Sequence, residues 1–291
     1  MAVWGFNLTA LIVLVNNVDP ITLTAFRILV AGISVLIAAK MIGIFRLPSK
    51  KEWKTIIIIT LFNVVLHHSL LAIGLTMTSG VNAGIILGAA PLITMVFSII
   101  FLKDMITRLR VFGFILGFIG IIITSVVGTG GVSGISIGDI FVFLSMFAQA
   151  ISFILISKLN PTFDPRLLTG YMLILGSFLI FIVSLVMEGN PAQITVLFSW
   201  KLGGVFLFSA IIATAFGHMI YNFAIKNVGP AETTIFVNLN TLFAILGAAI
   251  FLGEPILGAH YAGLVFIILG VFIGSGTLEY ILNKRRIRAR N

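Results

Sequence analysis

Ten stretches of this chain, at about 1–17, 20–43, 53–75, 80–102, 109–129, 138–157, 165–187, 201–224, 230–252 and 259–282, are continuously apolar and of helical length. A helix rises 1.5 Å per residue and a bilayer core is ~30 Å thick, so roughly 20 apolar residues cross it. A transmembrane β-barrel would instead need alternating segments of about 10 residues with one polar face, and these runs do not alternate. Of the 291 residues, 59% are hydrophobic and only 9% charged, with a mean hydropathy of +1.20. Soluble domains carry about 25% charged residues, so 18 basic and 9 acidic side chains are too few to cover a soluble globule. The absence of cysteine excludes a disulfide scaffold, and the high hydrophobicity excludes disorder. The connection near 187–201 is too short to fold alone. The sequence therefore predicts an all-α integral membrane protein with ten transmembrane helices.

Orientation follows from the basic residues. Lys40, Arg46, Lys50, Lys51 and Lys54 fall between spans 2 and 3, and Lys103, Arg108 and Arg110 between spans 4 and 5. Lys158 and Arg166 lie between spans 6 and 7, Lys226 follows span 8, and the run Lys284 to Arg290 follows span 10. With ten spans, 16 of the 18 Lys and Arg share one side, leaving Arg27 and Lys201. The positive-inside rule then places both termini in the cytoplasm of a multi-pass protein in a plasma membrane, read as prokaryotic. The basic tail is expected to meet anionic lipid head groups rather than nucleic acid. A single cysteine replacing Ser133 is expected to react with an impermeant reagent from outside. One replacing Ser49 is expected to react only after permeabilisation, and the reverse pattern would overturn the orientation. The first span is short: Met1 to Val15 gives only ~22 Å of helix, so the sequence is expected to begin late and lack several native residues. With neither a basic leader nor a small-residue cleavage site, it is not read as a signal peptide.

The chain also matches itself at an offset of 150 from about residue 70 to 125. Ile100-Phe101-Leu102-Lys103-Asp104 meets Ile250-Phe251-Leu252-Gly253-Glu254, and Gly113 and Gly120 meet Gly263 and Gly270. Nearer the start the offset shrinks to 145, where Asp19-Pro20 meets Asp164-Pro165. Each pair reads as an Asp N-cap before a proline in the first turn. Five spans per repeat is an odd number, so the second half must enter the membrane inverted. Inverted repeats recur in secondary transporters, with the substrate site near the midplane between halves.

All nine acidic residues lie at or near predicted span ends, where capping, helix-dipole pairing and interfacial anchoring explain them. No carboxylate sits at mid-membrane. His67 and His68 lie inside span 3 and His218 inside span 8, with His68 and His218 separated by the repeat offset of 150. Counting from span centres puts His68 about 5 Å outward of the midplane and His218 about 8 Å inward. Imidazoles titrate near neutral pH, so such a pair can serve a proton relay or gate; the alternative is hydrogen bonding to a neighbouring helix. Asn7, Asn63, Gln149, Asn222, Asn238 and Asn240 are further intramembrane polar groups, with Trp4 and Tyr221 as aromatic neighbours. They serve either as interhelical glue or as cavity groups that orient a zwitterionic or neutral polar solute. Arg27, in the second turn of span 2, either snorkels to the outer interface or faces inward, and its start below the helix end favours the inward position. Glycines such as Gly113, Gly117, Gly258, Gly263 and Gly270 are expected to let helices approach closely. Pro91 is expected to kink span 4. No P-loop, metal-ligand spacing or nucleophile elbow is present, and Gly128-Thr129-Gly130-Gly131 reads as an outer loop.

These residues resemble a family: the chain is similar to ten-span EamA-type members of the drug/metabolite transporter superfamily. The resemblance covers nearly all of the chain. It rests on Val3-Trp4-Gly5-Phe6-Asn7, on Pro20 with Ala25-Phe26-Arg27, on Pro91, and on Phe251-Leu252-Gly253-Glu254-Pro255 followed by Gly263 and Gly270. It departs at Thr241, where proline is usual, and at Lys103-Asp104, where Gly-Glu is common. What it implies is a first five-helix repeat over 1–129, a second over 138–282 and a basic cytoplasmic tail over 283–291. It further implies export or exchange of small metabolites such as amino acids through a central cavity among spans 1, 3, 4, 6, 8 and 9. Trp4, Asn7, Asn63, His67, His68, Gln149, His218, Asn222 and Asn238 are then candidate lining residues, with Arg27 and Pro91 in gating or structural roles.

The leading expectation is a secondary transporter of a small organic solute working by alternating access. Protons are the candidate coupling ion, there is no metal or cofactor, and the protein is a monomer or weak homodimer. Multidrug or cation efflux and passive facilitation by the same fold are the alternatives. An intramembrane enzyme would require clustered catalytic groups that span-end acids do not supply, so no catalytic residue is assigned.

Overall fold

The computed structural model describes residues 1–78, 80–126, 134–253 and 255–288, with the backbone alone for 80–81 and 283–288. Ser133, the loop Gly128-Thr129-Gly130-Gly131, Glu254 and the tail end at Arg290 lie outside these residues. Among the described residues every regular element is helical. Eight helices are long and apolar enough to cross a membrane: α2 (Pro20–Met41), α3 (Lys50–Leu75), α4 (Asn82–Leu102), α5 (Arg108–Val126), α6 (Ile137–Ser157), α7 (Pro165–Met187), α8 (Trp200–Val228) and α9 (Pro230–Leu252). Two more, α1 (Ala2–Val15) and α10 (Gly258–Gly274), are apolar but shorter. The connection between α7 and α8 holds a 3-10 helix, Pro191–Phe198.

The tenth apolar stretch does not run on to 282 as one helix. It stops at Gly274, turns at Ser275 and Gly276, and resumes as α11 (Thr277–Arg288). Gly276 has a φ of +81°, the left-handed conformation that ends helices. The start of α2 also differs from expectation. Pro20 opens the helix, yet the Asp19 side chain caps nothing and pairs with Gln193. The helix end is satisfied instead by Glu188, whose carboxylate accepts the backbone N–H of Ile21 at 2.8 Å and of Thr22 at 2.7 Å. The equivalent Asp164 does cap α7, accepting the Arg166 N–H at 2.8 Å.

Because Glu188 follows α7 and binds the start of α2, these two helices run antiparallel. Helices α5 and α10 are antiparallel as well. A Cβ added at Gly113 would strike Gly274, one at Gly117 would meet Gly270, and one at Gly120 would strike the Gly263 carbonyl. Each pair joins segments that match in sequence at the 145 or 150 offset. Local breaks follow the same offset. A π-helical turn closes α4 at Ser98–Leu102 and α9 at Ala248–Leu252. Left-handed residues follow at Lys103, φ 60°, and Gly253, φ 73°.

Helix α4 is interrupted at Ala89, just before Ala90-Pro91, and α9 by a 3-10 turn at Ile235–Asn238. The second break therefore forms without a proline in it. Lys103 is the non-glycine member of the left-handed pair, and a side chain there costs roughly 1–2 kcal/mol, partly offset by glycine's greater freedom when unfolded. Lys103→Gly is expected to stabilise the protein by about 0.5–1 kcal/mol, read as a rise in melting temperature; an unchanged value would contradict it.

The buried apolar side chains form separate cores. Ile28, Val35, Ile59, Ile156, Met172 and Ile225 join α2, α3, α6, α7 and α8. Met95, Phe114, Ile235, Ile267 and Val271 join α4, α5, α9 and α10. The basic connections meet at one end of the bundle. Arg46 pairs with Glu52 and reaches the Thr162 carbonyl at 3.3 Å. Lys158 donates to the Phe101 carbonyl at 2.9 Å, and Lys226 donates to that of Leu159. Arg110 links Glu232 and Glu279, at 2.9 and 3.0 Å. At the opposite end Asp139 accepts from Thr78 and Asn82, near the first turn of α6.

Candidate functional site

Helices α3 and α8 each carry a π-helical segment just ahead of a histidine. Leu61–Leu66 precedes His67, and Phe208–Phe216 precedes Gly217 and His218. A π-turn accommodates an extra residue and re-aims the side chains around it, and such turns concentrate at functional sites. In α8 it frees Thr214, whose hydroxyl donates to the Ser209 carbonyl at 2.7 Å and accepts from Arg27 Nη1 at 2.7 Å. Nδ1 of His218 lies 3.0 Å from the Thr214 carbonyl, one turn further on.

Trp4 of α1 completes this side. Its indole N–H donates to the Ala213 carbonyl at 2.7 Å, and its ring lies 5.1 Å from His218 and 4.9 Å from Tyr221. Across from it, His68 lies 6.5 Å from His218 and 4.7 Å from His67. The rings are thus closer than their counted depths imply. Helices α3 and α8 run in opposite directions, since α3 leaves and α8 approaches the basic end. Each Cα–Cβ bond tilts toward its own helix N-terminus, which brings both rings back toward the middle from opposite sides.

Arg27 faces inward and is buried, 7% exposed. Its Nε has no hydrogen-bond partner among the described residues, and none of the ion pairs found among them includes it. Leaving a buried charge without a counter-charge costs about 3–5 kcal/mol in folded proteins. His68 and His218 lie within electrostatic reach of Arg27, and both rings, like Trp4, are half-buried.

The other candidate residues lie at helix contacts around this cluster. His67 is buried, with Nδ1 3.2 Å from the Ser145 carbonyl of α6. Asn63 donates to Ser152 at 2.7 Å, and Ser152 to the backbone carbonyl of half-buried Gln149. Asn222 donates to Thr169 of α7 at 3.0 Å. Asn238 is buried at the end of the break in α9, beside Gly117 of α5. Asn7 is buried on α1, its carbonyl oxygen unpartnered among the described residues. Pro91 is buried at the start of the second segment of α4.

Sequence reasoning brought forward every member of the cluster but Thr214. The available signal was its position four residues before His218, on the same helix face. Away from the cluster, an apolar recess of about 500 Å³ lies between α1, α8 and α9, walled by Phe6, Ala10, Val13, Val205, Phe208 and Phe251. Among the described residues no set of three His, Asp or Glu side chains is arranged to hold a metal ion.

The fold and cluster define a multi-pass α-helical membrane protein with charge held inside its apolar body. A model of the EamA-like transporter family matches residues 1–126 and 136–275, and the chain belongs to that family. It is 27% identical over 91% of its length to the uncharacterized transporter YyaM of Bacillus subtilis, covering 87% of that protein. An uncharacterized transporter of Archaeoglobus fulgidus is 26% identical over 93% of this chain and 94% of its own. A crystal structure with 15% identity shares the fold, with a TM-score of 0.78 over 96% of both chains. The Bacillus and Archaeoglobus relatives are named as transporters.

Proposed function

We propose that this protein is a secondary transporter that exports or exchanges small organic metabolites, amino acids or related solutes, across the plasma membrane by alternating access. The observation that carries this reading is the composition of the cluster. Trp4, Arg27 and His68 come from one half of the chain, and Thr214, His218 and Tyr221 from the other. The halves are two inverted five-helix repeats, 1–129 and 138–282, giving ten spans in all. The antiparallel pairing of matched helices and their matched breaks support this division. Rocking one half against the other exposes the cluster first to one side, then to the other.

His68 and His218 face each other across the join and carry the coupling proton, with Arg27, His67, Trp4 and Tyr221 as their polar neighbours. The lining also draws on Asn7, Asn63, Gln149, Asn222 and Asn238, while Pro91 sets the bend in α4. Both termini are cytoplasmic, and the tail at 283–291 rests on anionic lipid. The protein works as a monomer or weak homodimer, since the fused repeats already complete the cavity.

Purified protein in liposomes tests this reading, offered a labelled amino-acid panel and a lipophilic cationic dye, with and without a pH gradient. Saturable, selective amino-acid uptake that responds to the gradient is expected. Dye movement alone would replace metabolite transport with drug efflux. Flux indifferent to pH and voltage would replace it with passive facilitation.

A further inference from the structure

We infer that Arg27 is the docking point for a carboxylate on the transported solute, so that the protein takes small organic acids, zwitterionic amino acids included, and rejects their uncharged or cationic analogues. This rests on the transport reading above and adds the substrate's chemistry to it. Arg27 is the charged side chain at the heart of the cluster, buried and held by Thr214 at 2.7 Å. Among the described residues, the acidic side chains that could neutralise it are elsewhere. Asp19, Glu52, Asp104, Asp139, Asp164, Glu188, Glu232 and Glu279 all sit just outside a helix or in its first turn. A cation arriving at the cluster would therefore meet a guanidinium with no counter-charge among the described residues, whereas an anion would supply a partner.

The geometry also suits a carboxylate in particular. A guanidinium presents a planar fork of donors that a carboxylate can accept from in two parallel bonds. One arm of the fork is fixed by the Thr214 hydroxyl, which aims the plane, and Nε remains without a partner among the described residues. The aromatic rings of Trp4, His68, His218 and Tyr221 make up the rest of the cluster. An ammonium group on the same solute can rest against the Trp4 face. The interior is thus asymmetric: it offers a positive charge for the acid end and a ring surface for the other end.

Trp4 provides a direct readout. With Trp53→Phe and Trp200→Phe in place, Trp4 is the remaining tryptophan, and its emission in the detergent-purified chain reports arrival beside it. Alanine, threonine, leucine and phenylalanine are titrated, each beside its amide and its decarboxylated amine. The expected result is a saturable response to at least one acid, with a Kd at least tenfold below those of its amide and amine. Arg27→Gln is expected to erase that preference and Arg27→Lys to retain part of it. An amide or amine binding within threefold of its acid, no response to any acid, or an Arg27→Gln protein that keeps the preference would each overturn the inference. The acid-to-amide comparison needs no substitution at Arg27, so it decides even if that variant does not fold. Acid binding without flux in liposomes would leave the carboxylate site standing and overturn the transport reading. Cation flux without acid binding would do the opposite.

Discussion

Gly270→Leu is expected to destabilise the protein by about 3 kcal/mol or more, near the upper end of overpacking costs, leaving little monodisperse material in detergent. The reason is the crossing of α5 and α10. A Cβ at Gly270 falls on the backbone of Gly117, and backbone cannot turn aside as a side chain can. The helices would have to part along the line held by Gly113, Gly117, Gly120, Gly263 and Gly274, losing the contacts of Phe114, Ile267 and Val271. Gly258→Leu is the matched control in the same helix. Nothing lies within 4 Å of a Cβ there, so it changes stability by no more than about 0.5 kcal/mol, and the expectation that Gly258 serves close packing is corrected. Thermal unfolding followed by tryptophan emission compares the two, and equal melting temperatures would contradict the packing described.

The second large effect concerns coupling. The double variant His68→Gln with His218→Gln is expected to reduce proton-driven uptake at least tenfold while exchange of internal for external solute continues. Glutamine keeps a hydrogen-bonding side chain at both positions, so the contact of His218 with the Thr214 carbonyl has a replacement. What it removes is the ionisable imidazole at each position, the group able to take up and give up a proton. Arg27 and His67 also face this pair and stay in place. Uptake that still follows the pH gradient in the double variant would reduce both histidines to packing groups. Loss of uptake and exchange together would assign them to solute binding instead of coupling.

Much of the fold was legible because hydropathy alone marks a span. The starts of α2 and α7 at Pro20 and Pro165 were readable to the residue, since proline fits the first turn of a helix and little else there. The turn at Ser275–Gly276 was hidden because both residues are also common inside membrane helices. The π-turns in α3 and α8 carry no composition of their own; they depend on what the helix packs against. Proline was an incomplete guide to the breaks, because α9 changes to a 3-10 turn at Ile235–Asn238 without one.

In the site, Arg27 was readable as inward-facing from its depth in α2. The pairing of His68 with His218 followed from the repeat offset, but not their proximity, which depends on side-chain tilt. The asparagines divided along lines that sequence could not draw. Asn63 and Asn222 bond neighbouring helices through Ser152 and Thr169, while Asn7 keeps an unpartnered oxygen among the described residues. Which side of a helix faces a hydroxyl is decided by tertiary packing, and a serine or threonine in an apolar run gives no warning of it.

The most direct measurement of alternating access is solute counterflow. Liposomes containing the protein are loaded with millimolar unlabelled amino acid, diluted, and given a trace of the same amino acid labelled. A carrier whose site faces one side at a time is expected to draw label inside transiently above its outside concentration, then release it as the unlabelled gradient decays. Label that rises smoothly to equal concentration without an overshoot, in liposomes that do conduct the solute, would contradict alternating access and describe an open pathway instead.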